Sequence, residues 1–147
     1  MTEPIDNIDL VLLVDDNSID NFVNQKMIER YGFAKKVLAY TKASDALKYL
    51  SELDELKSDL KPVPSILFLD LNMPLINGFQ FLELYEKLSD YIKSSCKIVV
   101  LSSSVNPNDK ALASSNKHII SYLHKPLLNS NFQELNTLLK ENSTSIK

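Results

Sequence analysis

Residues 66–78 read ILFLDLNMPLING, and they contain the pattern from which the fold class follows. The run Ile66–Leu69 is entirely apolar, which is typical of a β-strand that is covered on both faces. A charged residue, Asp70, ends the run, and the turn-forming pair Asn77-Gly78 precedes a segment with helical spacing. A buried strand, a loop and a helix in this order form the unit from which parallel α/β sheets are built.

The same unit recurs along the chain. Similar apolar runs lie at residues 10–14, 37–40, 98–101 and 119–123, and segments with helical spacing separate and follow them. The weakest helical segment, residues 105–117, carries little apolar surface and predicts a short, loosely held helix. Because strand and helix alternate five times, the sequence predicts a doubly wound α/β domain with parallel strands and right-handed crossovers.

The longer helical segments each carry one apolar stripe. In the first helix, Ile19, Phe22, Val23, Met27 and Tyr31 recur at helical spacing, as on the core-facing side of a helix. The later stripes consist of Ala46, Leu47, Leu50, Leu53 and Leu56, of Phe79, Leu82, Tyr85 and Leu88, and of Leu128, Phe132, Leu135, Leu138 and Leu139. All of these stripes predict core faces and not cofactor pockets.

The composition describes one globular domain. Of 147 residues, 44% are hydrophobic and 24% charged. A chain of this length can fold without the disulfides or metal ions that very small domains need. The net charge of −3 provides no general attraction to nucleic acid. There is no apolar run of the roughly 20 residues that a membrane span needs and no secretory signal, and the single cysteine, Cys96, excludes an internal disulfide. We therefore expect a cytoplasmic domain over residues 9–141, with tails at 1–8 and 142–147.

Polar side chains follow the apolar runs. Asp15 and Asp16 come after the first run, Asp70 after the third, Ser102 after the fourth and Lys125 after the fifth. In open parallel sheets, ligands bind beyond the carboxyl ends of the strands. We therefore expect three carboxylates, a hydroxyl and an ammonium to converge at one edge of the sheet.

This set of groups has a definite chemistry. Two carboxylates at about 4 Å repel by roughly 4 kcal/mol at an effective dielectric constant of 20, so either one takes up a proton or a divalent cation neutralises the group. Oxygen ligands of this kind suit Mg²⁺, and a carboxylate beside the ion can attack phosphorus. Lys125 and the Ser102 hydroxyl could then stabilise the transferring phosphoryl group.

The order of these motifs resembles the response-regulator receiver domain, the CheY-like phosphoacceptor of two-component systems. The resemblance covers about residues 9–141 and rests on Asp15-Asp16, the D-x-x-M-P-x-x-x-G string from Asp70 to Gly78, Ser102, and Lys125-Pro126. It implies a flavodoxin-like (βα)5 fold with a five-stranded sheet in the order 2-1-3-4-5. It also implies a stand-alone regulator, because no room remains for an output domain.

The resemblance assigns a role to each matching residue. Asp70 would accept the phosphoryl group, and Mg²⁺ would be held by Asp15, Asp16, Asp70 and the backbone carbonyl of Asn72. Lys125 would pair with the phosphoryl group, and the peptide before Pro126 resembles one that the family holds in cis. Ser102 would act in catalysis and, together with Tyr122, as the conformational switch.

The resemblance also implies partners. The phosphodonor would be a sensor histidine kinase or a histidine phosphotransfer protein, and the signal would pass to an unknown protein target by direct contact. Neither nucleic acid nor a membrane is expected as a partner, and the chain would be a monomer or a phosphorylation-dependent dimer. It would be a switch that catalyses its own phosphorylation and dephosphorylation, and not an enzyme in the usual sense.

Three other functions are considered. A magnesium-dependent phosphohydrolase of the haloacid-dehalogenase type uses similar groups, but its nucleophile lies on the first strand, and Asn72 offers no acid two residues after Asp70. A binding module that keeps the fold without phosphorylation would not need the complete residue set. A flavin carrier needs a phosphate cradle, whereas residues 15–18 are acidic. In isolation, each motif also has an ordinary structural explanation, such as a helix start or a polar loop.

Overall fold

The computed structural model describes residues 8–56, 63–71, 73, 77–103 and 107–145. The strands are β1 (Leu10–Val14), β2 (Lys36–Tyr40), β3 (Ile66–Leu69), β4 (Lys97–Ser102) and β5 (Ile119–His124). The helices are α1 (Ser18–Tyr31), α2 (Ala43–Leu56), α3 (Gly78–Glu86), α4 (Asp90–Ser95), α5 (Pro107–Ser114) and α6 (Asn129–Ser145). Among these described helices, none combines the length and apolar character that crossing a membrane requires.

The strands form one parallel sheet in the order β2-β1-β3-β4-β5. The last residue of β1, Val14, lies opposite Tyr40 of β2 on one side and Leu69 of β3 on the other. The strand order therefore reverses between β1 and β3, where the carboxyl ends of the two strands meet. The predicted doubly wound, flavodoxin-like fold with strand order 2-1-3-4-5 is confirmed.

Separate apolar layers cover the two faces of the sheet. Successive residues of a strand point to opposite faces, so that Leu12 and Val14 of β1 pack in one layer with α2 and α3. Val11 and Leu13 pack in the other layer with α1 and α6. Burial on both faces explains why the apolar run of β1 is unbroken.

The predicted core face of α1 is wrong for its first three residues, whereas Met27 and Tyr31 pack against the core as predicted. Ile19, Phe22 and Val23 are 71%, 60% and 39% exposed, whereas Asn21 and Asn24 are buried. The helix is thus turned so that two amides, and not the upper part of the apolar stripe, face the sheet. A period of apolar residues predicts the buried side of a helix only where the core beneath it is apolar.

Hydrogen bonds explain this orientation of α1. The Asn21 side chain donates to the carbonyl oxygens of Asp15 at 2.9 Å and Tyr40 at 3.2 Å, and Asn24 Oδ1 accepts the N–H of Leu127 at 2.9 Å. These backbone groups lie just beyond or at the ends of strands, where the sheet ladder no longer satisfies them. Leaving them buried and unpaired would cost about 1–3 kcal/mol each.

The predicted third helix is divided in two. α3 ends at Glu86 and α4 begins at Asp90, so Leu88, which was predicted on the stripe of one helix, lies between them and is partly buried. The N–H of Ser89 donates to the Asp54 carboxylate at 3.1 Å, and the Ser89 hydroxyl donates to the same carboxylate. This pairing with α2 takes Ser89 out of the helical ladder at the point of division.

The remaining helices follow the sequence pattern more closely, except at Leu128. This residue was predicted on the core face of the last helix, but it precedes α6 and is 52% exposed. α5 is short, as predicted for residues 105–117. α6 continues to Ser145, beyond the position 141 at which the sequence analysis places the end of the domain. The bounds of the domain and its tails stay a prediction.

Candidate functional site

The two neighbouring strands β1 and β3 place two carboxylates side by side. Asp15 and Asp70 are the residues that directly follow these strands. The N–H of Asp70 donates to the carbonyl of Val14 at 3.0 Å, and the N–H of Asp15 donates to the carbonyl of Tyr40 at 3.0 Å. The sheet ladder therefore continues one residue into the site, and both aspartates are only 5% exposed.

Asp16 completes an acidic cluster with these two residues. One carboxylate oxygen from each of Asp15, Asp16 and Asp70 lies within 4.8 Å of the others. Asp15 and Asp70 are buried and Asp16 is exposed, so the cluster is open to solvent on one side. A donor set of oxygens alone, with one open side, fits a hard divalent cation that keeps several waters. The fourth predicted ligand, Asn72, lies outside the described residues.

Lys125 supplies the positive charge at this edge. Its Nζ lies 2.6 Å from Asp15 Oδ2, 2.9 Å from Asp20 Oδ2 and 3.6 Å from Asp70 Oδ2. Burial acts to lower the pKa of Lys125, but the hydrogen bonds to Asp15 and Asp20 and the charge of Asp70 outweigh it, so the pKa is raised above its ordinary value. The ammonium is therefore charged at any physiological pH.

The start of α1 is tied to the acidic cluster. Asp15 Oδ1 accepts the N–H of Asn17 at 2.9 Å, while the other oxygen of Asp15 contacts Lys125. Asn17 caps α1, and its side chain accepts the N–H groups of Ile19 and Asp20. The carboxylate of Asp15 thereby links the acidic cluster to the first turn of α1.

Ser102 and Lys125 meet at the end of β4 and β5. Ser102 is the last residue of β4 and is fully buried, and its carbonyl oxygen accepts the N–H of Lys125 at 3.2 Å. The peptide bond between Lys125 and Pro126 is cis, as the family resemblance suggests.

Gly78 allows α3 to begin against the backbone that carries Asp70. A Cβ atom at residue 78 would lie 2.6 Å from the Cα of Leu71 and 3.0 Å from the carbonyl oxygen of Asp70. The N–H of Gly78 donates to the carbonyl of Leu71 at 3.0 Å. Any larger residue would push the loop after β3, so the glycine of the D-x-x-M-P-x-x-x-G string has a steric role here.

Tyr122 lies on β5, one strand away from Ser102. It is half-buried and packs with Leu71 and Val100, and its ring meets that of His124 edge-on with a centroid distance of 6.3 Å. The sheet register places Val100 opposite Tyr122 and Ser102 opposite His124. Ser102 and Tyr122 therefore lie two residue pairs apart on neighbouring strands.

The sequence analysis missed three polar residues of α1. Asp20 binds Lys125, and Asn21 and Asn24 bind backbone groups around the site. Their spacing was a usable signal, since residues 17, 20, 21 and 24 are all polar and lie on one side of a helix that starts directly after the acidic pair. The apolar stripe on the other side of the helix concealed it.

The comparisons with known proteins agree on one family. The family model of the response regulator receiver domain matches residues 11–139. The chain is 32% identical to a two-component response regulator from Cytophaga hutchinsonii, covering 91% of this chain and 98% of that one, with a TM-score of 0.78. It is 30% identical to a response regulator receiver protein from Dyadobacter fermentans, covering 90% and 95%, with a TM-score of 0.76.

A third solved structure is the phosphorylated cyanobacterial phytochrome response regulator RcpA. It is 26% identical, the match covers 90% of this chain and 91% of that one, and the TM-score is 0.67. Among the curated proteins, none matches the chain. Domains of the matched family are phosphoacceptor switches that interact with histidine kinases or phosphotransfer proteins. On the family match and the solved structures together, this chain belongs to the response regulator receiver domain family.

Proposed function

We propose that Asp70 accepts a phosphoryl group from the phosphohistidine of a sensor histidine kinase or a histidine phosphotransfer protein. The observation that carries this proposal is the ammonium of Lys125, 3.6 Å from the Asp70 carboxylate. A transferring phosphoryl group needs positive charge next to the attacking oxygen, and the side chains of Asp70 and Lys125 are only 6% and 11% exposed. The likeness to the phosphorylated regulator RcpA supports the same chemistry.

The reaction transfers one phosphoryl group between two side chains. An oxygen of the Asp70 carboxylate attacks phosphorus, the P–N bond of the phosphohistidine breaks, and its electron pair returns to the imidazole nitrogen. The product is an acyl phosphate on Asp70, which water later hydrolyses. Because the transition state spreads charge over the equatorial oxygens, placing cations and donors around Asp70 is the main task of the site.

We propose Mg²⁺ as the cofactor of this reaction. Asp15, Asp16 and Asp70 present oxygens at suitable spacing, and the backbone carbonyl of Asn72 is proposed as a further ligand. When bound, the ion supplies charge neutralisation for the carboxylates and the phosphoryl oxygens. Lys125, which now contacts Asp15 and Asp20, turns to the phosphoryl group.

Ser102 and Tyr122 are proposed as the switch. The Ser102 hydroxyl would donate to a phosphoryl oxygen, and Tyr122 would move inward from its half-buried position against Leu71 and Val100. A ligand changes a conformational equilibrium only through its different affinity for the two states. The hydrogen bond from Ser102, formed only with the phosphoryl group, supplies that difference.

The output of the switch is proposed to be a contact with another protein. We propose that this chain signals in the cytoplasm by contact with a protein target, without direct binding to nucleic acid. It would act as a monomer or as a phosphorylation-dependent dimer, and its dephosphorylation would use the same site.

Intact-mass measurement tests the phosphoacceptor. The chain is incubated with Mg²⁺ and acetyl phosphate beside Asp70→Asn and the matched control Asp45→Asn, which removes an exposed aspartate in the first turn of α2. We expect one added phosphoryl group in the wild type and in Asp45→Asn, and none in Asp70→Asn or in the presence of a chelator. Equal incorporation in Asp70→Asn would refute the assignment.

A further inference from the structure

Lys125 is held by a carboxylate that lies outside the acidic cluster. Asp20 Oδ2 accepts a hydrogen bond from Lys125 Nζ at 2.9 Å. The ammonium is therefore closer to Asp20 than to the phosphoacceptor Asp70, whose nearest oxygen is 3.6 Å away. Since an ammonium has three donor hydrogens, Asp15 and Asp20 occupy two of them before any phosphoryl group is present.

Asp20 and Lys125 lie together at an open cleft, and Lys125 also reaches Asp70. The Asp20 side chain is 36% exposed and that of Lys125 is 11% exposed. Both residues line an open cleft of about 340 Å³, whose other lining residues are Val23, Asn24, Ser103 and Pro126. An anionic group that enters this cleft would meet both the ammonium of Lys125 and the carboxylate of Asp20.

Two physical arguments indicate that Asp20 opposes phosphorylation. It competes with the phosphoryl oxygens for Lys125, and it adds a negative charge next to an incoming group that is itself negative. Asp15 and Asp16 can be neutralised by the cation of the acidic cluster, but Asp20 is not a member of that cluster. Its charge therefore remains when the site is loaded.

We propose that Asp20 is a positioning residue that holds Lys125 in the resting arrangement and thereby lowers the affinity of the site for a phosphoryl group. This inference rests on the proposed function of Asp70. It assigns to α1 a regulatory part in the chemistry, in addition to its packing against the sheet.

The competing explanation is that Asp20 only stabilises α1. It lies in the first turn of the helix, where an acidic side chain favours the helix dipole. A purely structural role predicts that replacing Asp20 changes the melting temperature without changing the affinity for a phosphoryl mimic. Affinity and stability therefore have to be measured on the same variants.

The experiment measures the binding of beryllium fluoride, a phosphoryl mimic that coordinates to a carboxylate, by calorimetry in the presence of Mg²⁺. Four proteins are compared: the wild type, Asp20→Asn, the conservative variant Asp20→Glu, and Asp9→Asn. The last is the matched control, because it removes one negative charge from an exposed aspartate that pairs with Lys35 at 3.4 Å. Circular dichroism and the melting temperature without ligand check that each variant is folded.

We expect Asp20→Asn to bind beryllium fluoride about fivefold more tightly than the wild type, the size expected for a partly exposed ion pair. Its initial rate of phosphoryl incorporation from acetyl phosphate should rise by a similar factor. Asp20→Glu should bind beryllium fluoride with the wild-type affinity, because it keeps a carboxylate within reach of Lys125. Asp9→Asn should also bind it with the wild-type affinity.

Several results would overturn the inference. Unchanged or weaker binding by Asp20→Asn would show that Asp20 does not compete for Lys125. A gain shared by Asp9→Asn would assign the effect to net charge, and a gain in Asp20→Glu would show that the carboxylate is not what matters. If the wild type itself neither binds the mimic nor takes up a phosphoryl group, the proposed function fails together with the inference.

Discussion

At both the carboxyl edge and the amino edge of the sheet, where the parallel strands end and begin, a lysine is held by more than one carboxylate. The two arrangements differ in how far the carboxylates are exposed to water. At the carboxyl edge, the side chains of Lys125, Asp15 and Asp70 are 11%, 7% and 6% exposed. At the amino edge, Lys93 is equally covered at 14%, but its partner Glu86 is 49% exposed and Asp90 is fully exposed.

The amino-edge cluster, formed by Glu86, Asp90, Lys93 and His118, is a product of local structure. Glu86 and Lys93 belong to the ends of α3 and α4, and Lys93 Nζ also donates to the carbonyl oxygen of Glu86 at 2.8 Å. His118 precedes β5 and contacts the Glu86 carboxylate at 2.5 Å. The amino-edge cluster connects the ends of α3 and α4 with the turn before β5, as ordinary surface ion pairs do.

The difference shows what distinguishes a candidate site from a surface ion pair. At the carboxyl edge, three strands deliver buried groups of both signs to one place, and the carboxylates outnumber the cations. Such an arrangement costs free energy unless a further cation binds. At the amino edge, water screens the carboxylates, so no such requirement arises.

The largest expected effect separates the two lysines. Replacing Lys125 by Met should lower the free energy of unfolding by about 3 kcal/mol in the absence of Mg²⁺, because buried carboxylates lose their counter-charge. Replacing Lys93 by Met should lower it by only about 0.5 kcal/mol, because its carboxylate partners remain hydrated. Urea denaturation of both variants at neutral pH measures the two values, and equal losses would break the comparison.

A smaller effect is expected from Mg²⁺. At ten times its dissociation constant, an ion that binds only the folded state adds about 1.4 kcal/mol to the free energy of unfolding, which raises the melting temperature by about 4 °C for a chain of this size. Asp16→Asn should lose most of this shift, and Glu86→Gln should keep it. An undiminished shift in Asp16→Asn would place the ion elsewhere than the acidic cluster.

The smallest effect concerns pH at the amino edge. The hydrogen bond with His118, helped by the charges of His118 and Lys93, lowers the pKa of Glu86 below its ordinary value. A lowered pKa in the folded state means that the pair adds stability above the ordinary pKa of glutamate and loses it as the pH falls through the lowered pKa.

Urea midpoints of the wild type and Glu86→Gln between about pH 6 and about pH 3 test this expectation. The wild type should be slightly more stable at the upper end, and the two curves should converge in acid. A gap that widens as the pH falls would contradict the sign. The matched variant Glu83→Gln, on an exposed position of the same helix, should show no such convergence.

The sequence predicted those parts of the fold that depend on buried strands. Unbroken apolar runs such as Ile66–Leu69 are typical of strands in a sheet with both faces covered. The residue after each run was therefore expected at the carboxyl edge of the sheet. This is why Asp15 and Asp70 were expected together and are found together. The roles of Ser102, Tyr122 and Asn72 stay predictions.

The helices were predicted less well, because their burial depends on what lies beneath them. The stripe of Ile19, Phe22 and Val23 predicts a core face, but the backbone groups at the strand ends bind Asn21 and Asn24 instead. In the same way, the pairing of Ser89 with Asp54 joins residues that are distant in the chain, so the division between α3 and α4 could not be read from local spacing.

The sequence by itself therefore determined which apolar runs form the sheet. It also determined which carboxylates, hydroxyl and ammonium follow these runs along the chain. Only the tertiary structure decided how α1 is rotated and that Asp20 reaches Lys125, a contact between residues 105 positions apart. The physical reason is that a strand covered on both faces shows itself as an unbroken apolar run within one segment. Which side of a helix is buried also depends on the polar groups that other segments leave without hydrogen-bond partners beneath it.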